Sequence, residues 1–189
     1  MNEKKRLFVA IKFTPNNSYI SAYEYLKRRL RMDMISWIDP QSAHLTLKFF
    51  GNTSIERIEE IQHSLCKAVE NQYSFEDTIN KFGVFGSSHS PKVIWAGFKD
   101  GQQVIDLHQR IMKAIRSIGY FPDPGNFVPH VTMGRVKKMT DKAWFWDSLA
   151  EIQNSEIQII KVSKIILYES ILLNKGAQHI PIMEFPFII

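Results

Sequence analysis

The chain has 189 residues and a formal net charge of +5, with 24 Lys and Arg against 19 Asp and Glu. Hydrophobic residues make up 44% of the chain and charged residues 23%, a balance that excludes an intrinsically disordered protein. We therefore expect a single globular domain over residues 1–189. The basic charge favours an anionic partner such as nucleic acid, although many small soluble proteins share it.

The single cysteine, Cys66, excludes an intrachain disulfide and a cysteine-cluster metal site. It follows the apolar positions Ile61 and Leu65, so we expect it in or near the core. The apolar run from Leu7 to Ile11 follows three basic residues but is too short for an export signal or a membrane span. We expect a cytoplasmic, monomeric protein without a membrane segment.

In the first half of the chain, hydrophobic periodicity and capping residues predict alternating strands and helices. The predicted elements are a strand at Leu7 to Phe13, a helix ending near Arg31 with Ala22, Tyr25, Leu26 and Leu30 buried, a strand at His44 to Phe50 closed by Gly51-Asn52, and a helix capped by Thr53 or Ser54 and ending near Glu70.

The second half repeats this alternation. The predicted elements are paired strands at Phe75 to Phe85 and Val93 to Phe98, a helix at Gln102 to Ile118 stopped by Gly119, a strand at His130 to Val136, a helix near Asp141 to Ile152, and final strands at Ile157 to Glu169 and Ile180 to Phe187. This order predicts an α+β fold. Each half contains a helix, a strand with a His-x-Thr triplet and another helix, which predicts two lobes related by approximate two-fold symmetry around a cleft.

The two triplets are the strongest functional signal in the sequence. They read His44-Leu45-Thr46-Leu47 and His130-Val131-Thr132-Met133. Successive side chains of a strand point to opposite faces, so each His shares a face with its Thr while the apolar residues face the core.

Two histidines in one cleft can perform acid–base chemistry on a phosphodiester, because a neutral imidazole accepts a proton and a protonated one donates it. The two Thr hydroxyls are suited to hold the phosphoryl oxygens. A single such triplet is usually only a solvated strand face, whereas two at matching places leave a functional pair and a solvated face equally open. The sequence contains neither a His-Glu-x-x-His pattern nor a carboxylate cluster, so we expect no metal and no other cofactor.

The remaining histidines have weaker signals. We expect His63 and His108 to be structural or surface residues of amphipathic helices, and His89 to lie in a solvated turn. The basic runs around Arg28 and Lys137 are typical of solvated faces, and they would bind an RNA backbone only if they flank the cleft.

Five blocks of sequence, in order, resemble one enzyme family. The blocks are Arg6-Leu7-Phe8-Val9-Ala10-Ile11, His44-Leu45-Thr46-Leu47-Lys48-Phe49-Phe50-Gly51, Phe82-Gly83-Val84-Phe85 with Pro91-Lys92-Val93-Ile94-Trp95-Ala96-Gly97, Phe127-Val128-Pro129-His130-Val131-Thr132-Met133-Gly134-Arg135, and Leu167-Tyr168-Glu169-Ser170 with Gly176-Ala177. They resemble the two-histidine (2H) phosphoesterases, and within these the RNA 2',3'-cyclic phosphodiesterases also described as 2'-5' RNA ligases.

The resemblance implies a bilobal fold of two pseudo-symmetric lobes, each an antiparallel sheet with helices, around a central cleft. It also implies metal-independent hydrolysis of RNA 2',3'-cyclic phosphate ends to 2'-phosphomonoesters, with 2'-5' ligation as the reverse reaction. By resemblance His44 is the proton donor and His130 the proton acceptor, while Thr46 and Thr132 bind the phosphate. The implied partner is RNA with a cyclic phosphate terminus, or a cyclic nucleotide.

Arg135 is a further expected substrate contact. On an uninterrupted strand it shares the face of Val131 and Met133, so it reaches the phosphate only if the strand twists or ends near Gly134. The chain departs from the family pattern at His179, where Tyr is frequent and where the change could alter the rim of the cleft. Two other functions stay open: a 2H esterase for a small cyclic nucleotide, and a non-catalytic RNA-binding module that uses the same cleft.

Overall fold

The structure is a computed structural model that describes residues 3–153, 157–173 and 176–189. These residues form nine β-strands and four α-helices, which confirms the predicted α+β class. The strands are β1 (Lys4–Lys12), β2 (Met34–Trp37), β3 (His44–Ser54), β4 (Phe75–Gly86), β5 (Pro91–Phe98), β6 (His130–Lys138), β7 (Gln158–Val162), β8 (Lys164–Leu173) and β9 (Gly176–Pro186). The helices are α1 (Asn17–Arg29), α2 (Ile58–Val69), α3 (Gln102–Arg116) and α4 (Lys142–Ala150).

The strands build two antiparallel sheets. The four-stranded sheet has the order β3-β1-β8-β9, and the five-stranded sheet has the order β2-β6-β5-β4-β7. The sequence α1, β3, α2 recurs as α3, β6, α4, as the internal repetition predicts. Each sheet therefore contains one of the two His-x-Thr strands.

Alternation along the strands separates a core face from a cleft face. Leu7, Val9 and Ile11 of β1 are buried in the main hydrophobic core, which also includes Val131 and Met133 of β6. Burying an aliphatic side chain of this size stabilises the fold by about 1.5 to 3 kcal/mol, so this face fixes which residues point the other way. The opposite face of the four-stranded sheet carries a separate small cluster, formed by Phe8, Ala10, Ile166 and Tyr168.

Capping side chains set where two of the helices begin. The side chain of Asn16 accepts a hydrogen bond from the backbone N–H of Tyr19 at the start of α1, and that of Asp141 accepts one from Trp144 at the start of α4. Within α1, the buried aromatic residues are Tyr19 and Tyr23 rather than the predicted Tyr25, which instead donates a hydrogen bond to Glu151 beyond α4.

The predicted end of β3 and the predicted start of α2 were both wrong. β3 does not end at Gly51-Asn52 but continues to Ser54, because the N-terminal half of β1 pairs with it throughout. A 3₁₀ turn then precedes α2, which begins at Ile58, and Ser54 makes no side-chain capping bond. Cys66 lies on the exposed side of α2, whereas its neighbour Leu65 is buried.

The C-terminal strands also differ from the prediction. The expected strand at residues 157–169 is interrupted at Ser163, so that β7 joins the five-stranded sheet and β8 the four-stranded one. The short strand β2 was not predicted, and it pairs with the end of β6. None of the helices in the described ranges is long and apolar enough to cross a membrane.

Candidate active site

His44 is the first residue of β3, immediately after a turn at residues 40–42. Its Nδ1 lies 2.9 Å from the carbonyl oxygen of Ser42. A carbonyl only accepts hydrogen bonds, so Nδ1 carries the proton of the neutral ring and Nε2 is left to exchange a proton with a ligand. The turn before the strand thus fixes both the tautomer and the orientation of the imidazole.

His130 is held in the same way in the other sheet. It is the first residue of β6, and its Nδ1 lies 2.8 Å from the carbonyl oxygen of Val128, again two residues earlier. Its Nε2 is therefore the nitrogen available for proton exchange. The two histidines share one local geometry as well as one sequence motif.

The two threonines lie beside their histidines on the cleft face. Thr46 and Thr132 are half-buried, and each follows its His by two positions on a strand whose intervening residue, Leu45 or Val131, is buried. Within the described ranges neither hydroxyl has a hydrogen-bond partner. Each hydroxyl is thus free to donate to an anionic ligand.

A β-bulge follows each threonine. The register of β1 with β3 skips Leu47, and the register of β5 with β6 skips Met133, so each strand has one extra buried residue at this point. The alternation therefore restarts after the bulge, and Phe49 and Arg135 return to the face of the histidine. The bulge beside Gly134 supplies the irregularity that Arg135 needs in order to share the face of His130, and its role as a substrate contact stays a prediction.

The two motifs are brought together because β3 and β6 lie against each other, one from each sheet. We call the space between them the cleft; His44 and Thr46 line one wall, and His130, Thr132 and Arg135 line the other. The positive form of His130 contributes to lowering the pKa of His44, which places the two rings within electrostatic range. The five residues predicted from the sequence therefore lie on two strands that face each other, and their assignment to one site stays a prediction.

Aromatic side chains support both histidines. The ring of Phe8 lies 5.2 Å from that of His44, and the ring of Phe85 lies 4.8 Å from that of His130 at an interplanar angle of 89°. Trp95 is the cross-strand partner of Thr132, and its ring lies 5.3 Å from that of Phe85. These contacts limit the freedom of the imidazoles and remove water from around them.

Two glycines of the family-like blocks are explained by Trp95. A Cβ atom on Gly83 would lie 2.3 Å from the Trp95 ring, and one on Gly97 would lie 2.7 Å from it. Real Cβ atoms do not approach a ring so closely, so only glycine allows the indole to lie flat over these strands. Trp95 in turn packs against Phe85, whose ring contacts that of His130.

Burial lowers the pKa of both catalytic candidates. For His44, desolvation lowers the pKa to about 4 against the hydrogen bond to Ser42, and the charges of His179, Lys12 and His130 add to the decrease. For His130, desolvation again lowers the pKa and the guanidinium of Arg135 adds to it. Both imidazoles are therefore neutral at pH 7 in the unliganded protein.

Several residues of the site were not singled out from the sequence. They are Phe8 and Lys12 on β1, Phe85 on β4, Trp95 on β5 and Tyr168 on β8. For the two residues of β1, the alternation of the strand was the available signal. Phe8, Ala10 and Lys12 occupy one face of β1, and Leu7, Val9 and Ile11 occupy the other. The whole strand was interpreted as buried, which hid that second face.

The other histidines are placed much as expected, with one exception. His63 is exposed on α2, and His89 lies in the exposed loop between β4 and β5, where Lys142 donates a hydrogen bond to it. His108 stacks on Phe127, with ring centroids 3.8 Å apart. The exception is His179, which lies inside the cleft beside His44 rather than only at its rim.

An ion pair between a buried lysine and an exposed aspartate joins the first motif to the loop that leads into the second. The ammonium of Lys48, only 5% exposed, lies 2.7 Å from a carboxylate oxygen of Asp123. Asp123 and Phe127 are both in the segment that precedes His130, so this segment is anchored on β3 and on α3. In residues 3–153, 157–173 and 176–189 no group of three or more His, Cys, Asp or Glu side chains is placed to hold a metal ion.

Comparison with known proteins agrees with this geometry. A family model described as the 2'-5' RNA ligase superfamily matches residues 26–169, which include both His-x-Thr strands and most of the chain. The chain belongs to the 2'-5' RNA ligase superfamily. Among its relatives in the superfamily, the RNA 2',3'-cyclic phosphodiesterase of Thermotoga maritima is 32% identical over 152 residues, which are 80% of this chain and 79% of that protein.

Another relative and several solved structures match over nearly the whole length. The RNA 2',3'-cyclic phosphodiesterase of Aquifex aeolicus is 27% identical over 95% of this chain and 96% of its own. The structure of TT0787 of Thermus thermophilus superposes with a TM-score of 0.77 at 18% identity, covering 96% of this chain and 97% of that one. The structure of E. coli LigT complexed with 3'-AMP gives a TM-score of 0.70 at 19% identity, covering 98% and 99%. The predicted bilobal 2H phosphoesterase fold is thereby confirmed.

Proposed function

We propose that the protein hydrolyses the 2',3'-cyclic phosphate ends of RNA to 2'-phosphomonoesters, without a metal ion, by acid–base catalysis with two histidines. The observation that carries this proposal is the matched placement of His44 and His130. Each ring is held through Nδ1 by the carbonyl two residues earlier, and each has a threonine beside it. The relatives named as RNA 2',3'-cyclic phosphodiesterases support the choice of substrate.

The reaction needs one proton acceptor and one proton donor on opposite sides of the phosphorus. His130 removes a proton from a water molecule as the water oxygen forms a bond to phosphorus. The bond between phosphorus and the 3' oxygen breaks, and His44 donates its Nε2 proton to that oxygen. The product is a 2'-phosphomonoester with a free 3' hydroxyl. In the reverse direction, 2'-5' ligation, the two roles exchange.

The hydroxyls and the guanidinium hold the phosphoryl group during this step. Thr46 and Thr132 donate hydrogen bonds to its non-bridging oxygens from the two walls of the cleft. Arg135, exposed and close enough to lower the pKa of His130, adds a positive charge on the side of the proton acceptor. Removing one such donor typically costs about 10² to 10³ in rate where it stabilises the transition state directly.

Catalysis requires one protonated imidazole, whereas both rings are neutral in the unliganded protein. The negative charge of the substrate removes this conflict. Lys12 and Arg135 bring positive charge into the unliganded cleft and thereby oppose protonation of His44 and His130 respectively. An anionic cyclic phosphate compensates this charge and raises the pKa of both rings. The substrate therefore helps to protonate its own acid catalyst.

The test is an incubation of the protein with EDTA and an oligoribonucleotide that ends in a 2',3'-cyclic phosphate, followed by identification of the product. We expect a 2'-phosphate end, and we expect His44→Ala and His130→Ala each to lose most of the turnover while retaining RNA binding. Loss of activity in EDTA contradicts the metal-free mechanism, and a 3'-phosphate product contradicts the bond that we assign for cleavage.

The same assay separates the two alternative functions. Faster turnover of a mononucleoside 2',3'-cyclic phosphate than of the oligonucleotide indicates an esterase for small cyclic nucleotides. Binding of RNA without turnover of either substrate indicates a binding module. A module of that kind has no need for two imidazoles with matched tautomers, which is why we favour the enzyme.

A further inference from the structure

A third imidazole lies in the cleft. His179 is on β9, opposite Ser170 of β8, and its ring is half-buried. The ring centroid is 4.9 Å from that of His44 at an interplanar angle of 89°, and 4.8 Å from that of Phe8 at 71°. Phe8 thus contacts both imidazoles, and His179 continues the wall that begins with His44.

The ring nitrogens of His179 have no protein partner among the described residues. This distinguishes it from His44 and His130, each of which uses Nδ1 to bond a backbone carbonyl. A half-buried imidazole without a partner retains the capacity to donate two hydrogen bonds once it is protonated. Its natural ligand is therefore an anion that enters the cleft.

Among the described residues, no carboxylate shifts the pKa of His179, whereas Asp39 acts on Lys12 and Glu184 acts on Tyr168. The neighbours of His179 are Lys12 on β1, His44 on β3 and the phenol of Tyr168 on β8. Burial and the charge of Lys12 lower the pKa of His179, and burial raises that of Tyr168. The unliganded ring is therefore neutral at pH 7, and an incoming anion is what changes its charge.

A ligand bound to His44 is close enough to have this effect. An oxygen that accepts a hydrogen bond from Nε2 of His44 lies about 4 Å from the centre of that ring. Because the two ring centres are 4.9 Å apart, the oxygen lies closer to His179 than the Debye length of about 10 Å at 0.1 M salt. The interaction is screened even less inside a partly desolvated cleft.

We propose that His179 is a specificity-determining residue that takes up a proton when an anionic phosphate group binds beside His44, and that then binds this group as a cation. The inference rests on the proposed function of the cleft and deepens it. A phenol at this position would donate a hydrogen bond but add no positive charge. His179 therefore favours doubly charged phosphate groups, such as the phosphomonoester product, over the singly charged cyclic diester.

The experiment measures sulfate binding to the whole protein between pH 5.5 and 8, because sulfate stays doubly charged over this range. Histidine ring signals are followed by NMR in the wild type, and sulfate affinity is compared in His179→Gln, His179→Tyr and the control His63→Gln, which lies on α2 outside the cleft. If sulfate raises the pKa of His179 by about one unit, sulfate binds its protonated form about tenfold more tightly.

We expect the affinity of the wild type and of His63→Gln to rise from pH 8 to pH 5.5 several-fold more than that of either His179 variant, because the full tenfold effect is reached only below the pKa of the unliganded ring. If the His44 and His130 signals respond to sulfate while the pH dependence is the same in all four proteins, this inference is wrong and the proposed function stands. If no cleft histidine responds to sulfate and the cyclic phosphate is not hydrolysed, both are wrong.

Discussion

The low pKa of His44 predicts a specific loss of stability in acid. Burial lowers this pKa from 6.5 to about 4 in the folded protein, whereas the unfolded chain retains the ordinary value. The unfolded state therefore binds more protons between these two pH values, and stability falls as the pH falls through this window. At pH 5 the contribution of His44 alone is a loss of about 2 kcal/mol relative to pH 8.

The assay is urea denaturation of the wild type, His44→Gln and His63→Gln at pH 8 and pH 5. Gln cannot be protonated, so His44→Gln should lose about 2 kcal/mol less than the wild type between the two pH values. His44→Gln also loses the bond to Ser42, but it does so at both pH values, and the comparison therefore uses only the change with pH.

The control His63→Gln removes a histidine of α2 that does not contact the cleft, and it should follow the wild type closely. Equal losses in the wild type and His44→Gln would refute the reasoning, because they would mean that His44 is not desolvated in the folded state. The half-buried histidines His108 and His130, whose pKa values burial also lowers, add to the acid sensitivity of all three proteins alike.

Three further outcomes are expected. The pH profile of kcat/KM should be bell-shaped, with its maximum below pH 6.5. Arg135→Gln should shift the alkaline limb of this profile to higher pH, because the guanidinium no longer lowers the pKa of His130. An unchanged alkaline limb would show that Arg135 does not act on the pKa of His130. Gly83→Ala should destabilise the fold by about 1 to 3 kcal/mol in thermal unfolding, because its Cβ overlaps the ring of Trp95, and adding Trp95→Phe should restore part of the loss. Lys48→Met should increase chymotrypsin cleavage within residues 120–129 and lower kcat several-fold, because the anchor of Asp123 is lost; protection equal to the wild type would contradict that role.

Much of the fold was accessible from local sequence patterns. The helices α1, α3 and α4 were predicted within a few residues, because their apolar spacing and their caps, such as Asn16 and Asp141, act within one element. The residues of β3 and β6 that face the core were also predicted, because the alternation of polar and apolar residues is a local property of a strand. The two His-Thr pairs followed from those sides.

Other features depend on partners that are distant in the chain. The bulges after Thr46 and Thr132 are set by pairing with β1 and β5, so the face of Arg135 could not be derived from β6 alone. The break at Ser163 exists because β7 and β8 pair in different sheets. The approach of His179 to His44 requires the order β3-β1-β8-β9, which no local pattern specifies.

The two bulges also determine where this chain can change its length. Without Met133, the partners of β6 on β5 would remain the same, since Thr132 already pairs with Trp95 and Gly134 with Ile94. A deletion at this position removes a bend and one core side chain but leaves every remaining side chain on its own face. A deletion between His130 and Thr132 would instead turn His130 away from the cleft. Natural variants that differ by one residue in these strands should therefore carry their gaps after the threonine, at Leu47 or at Met133.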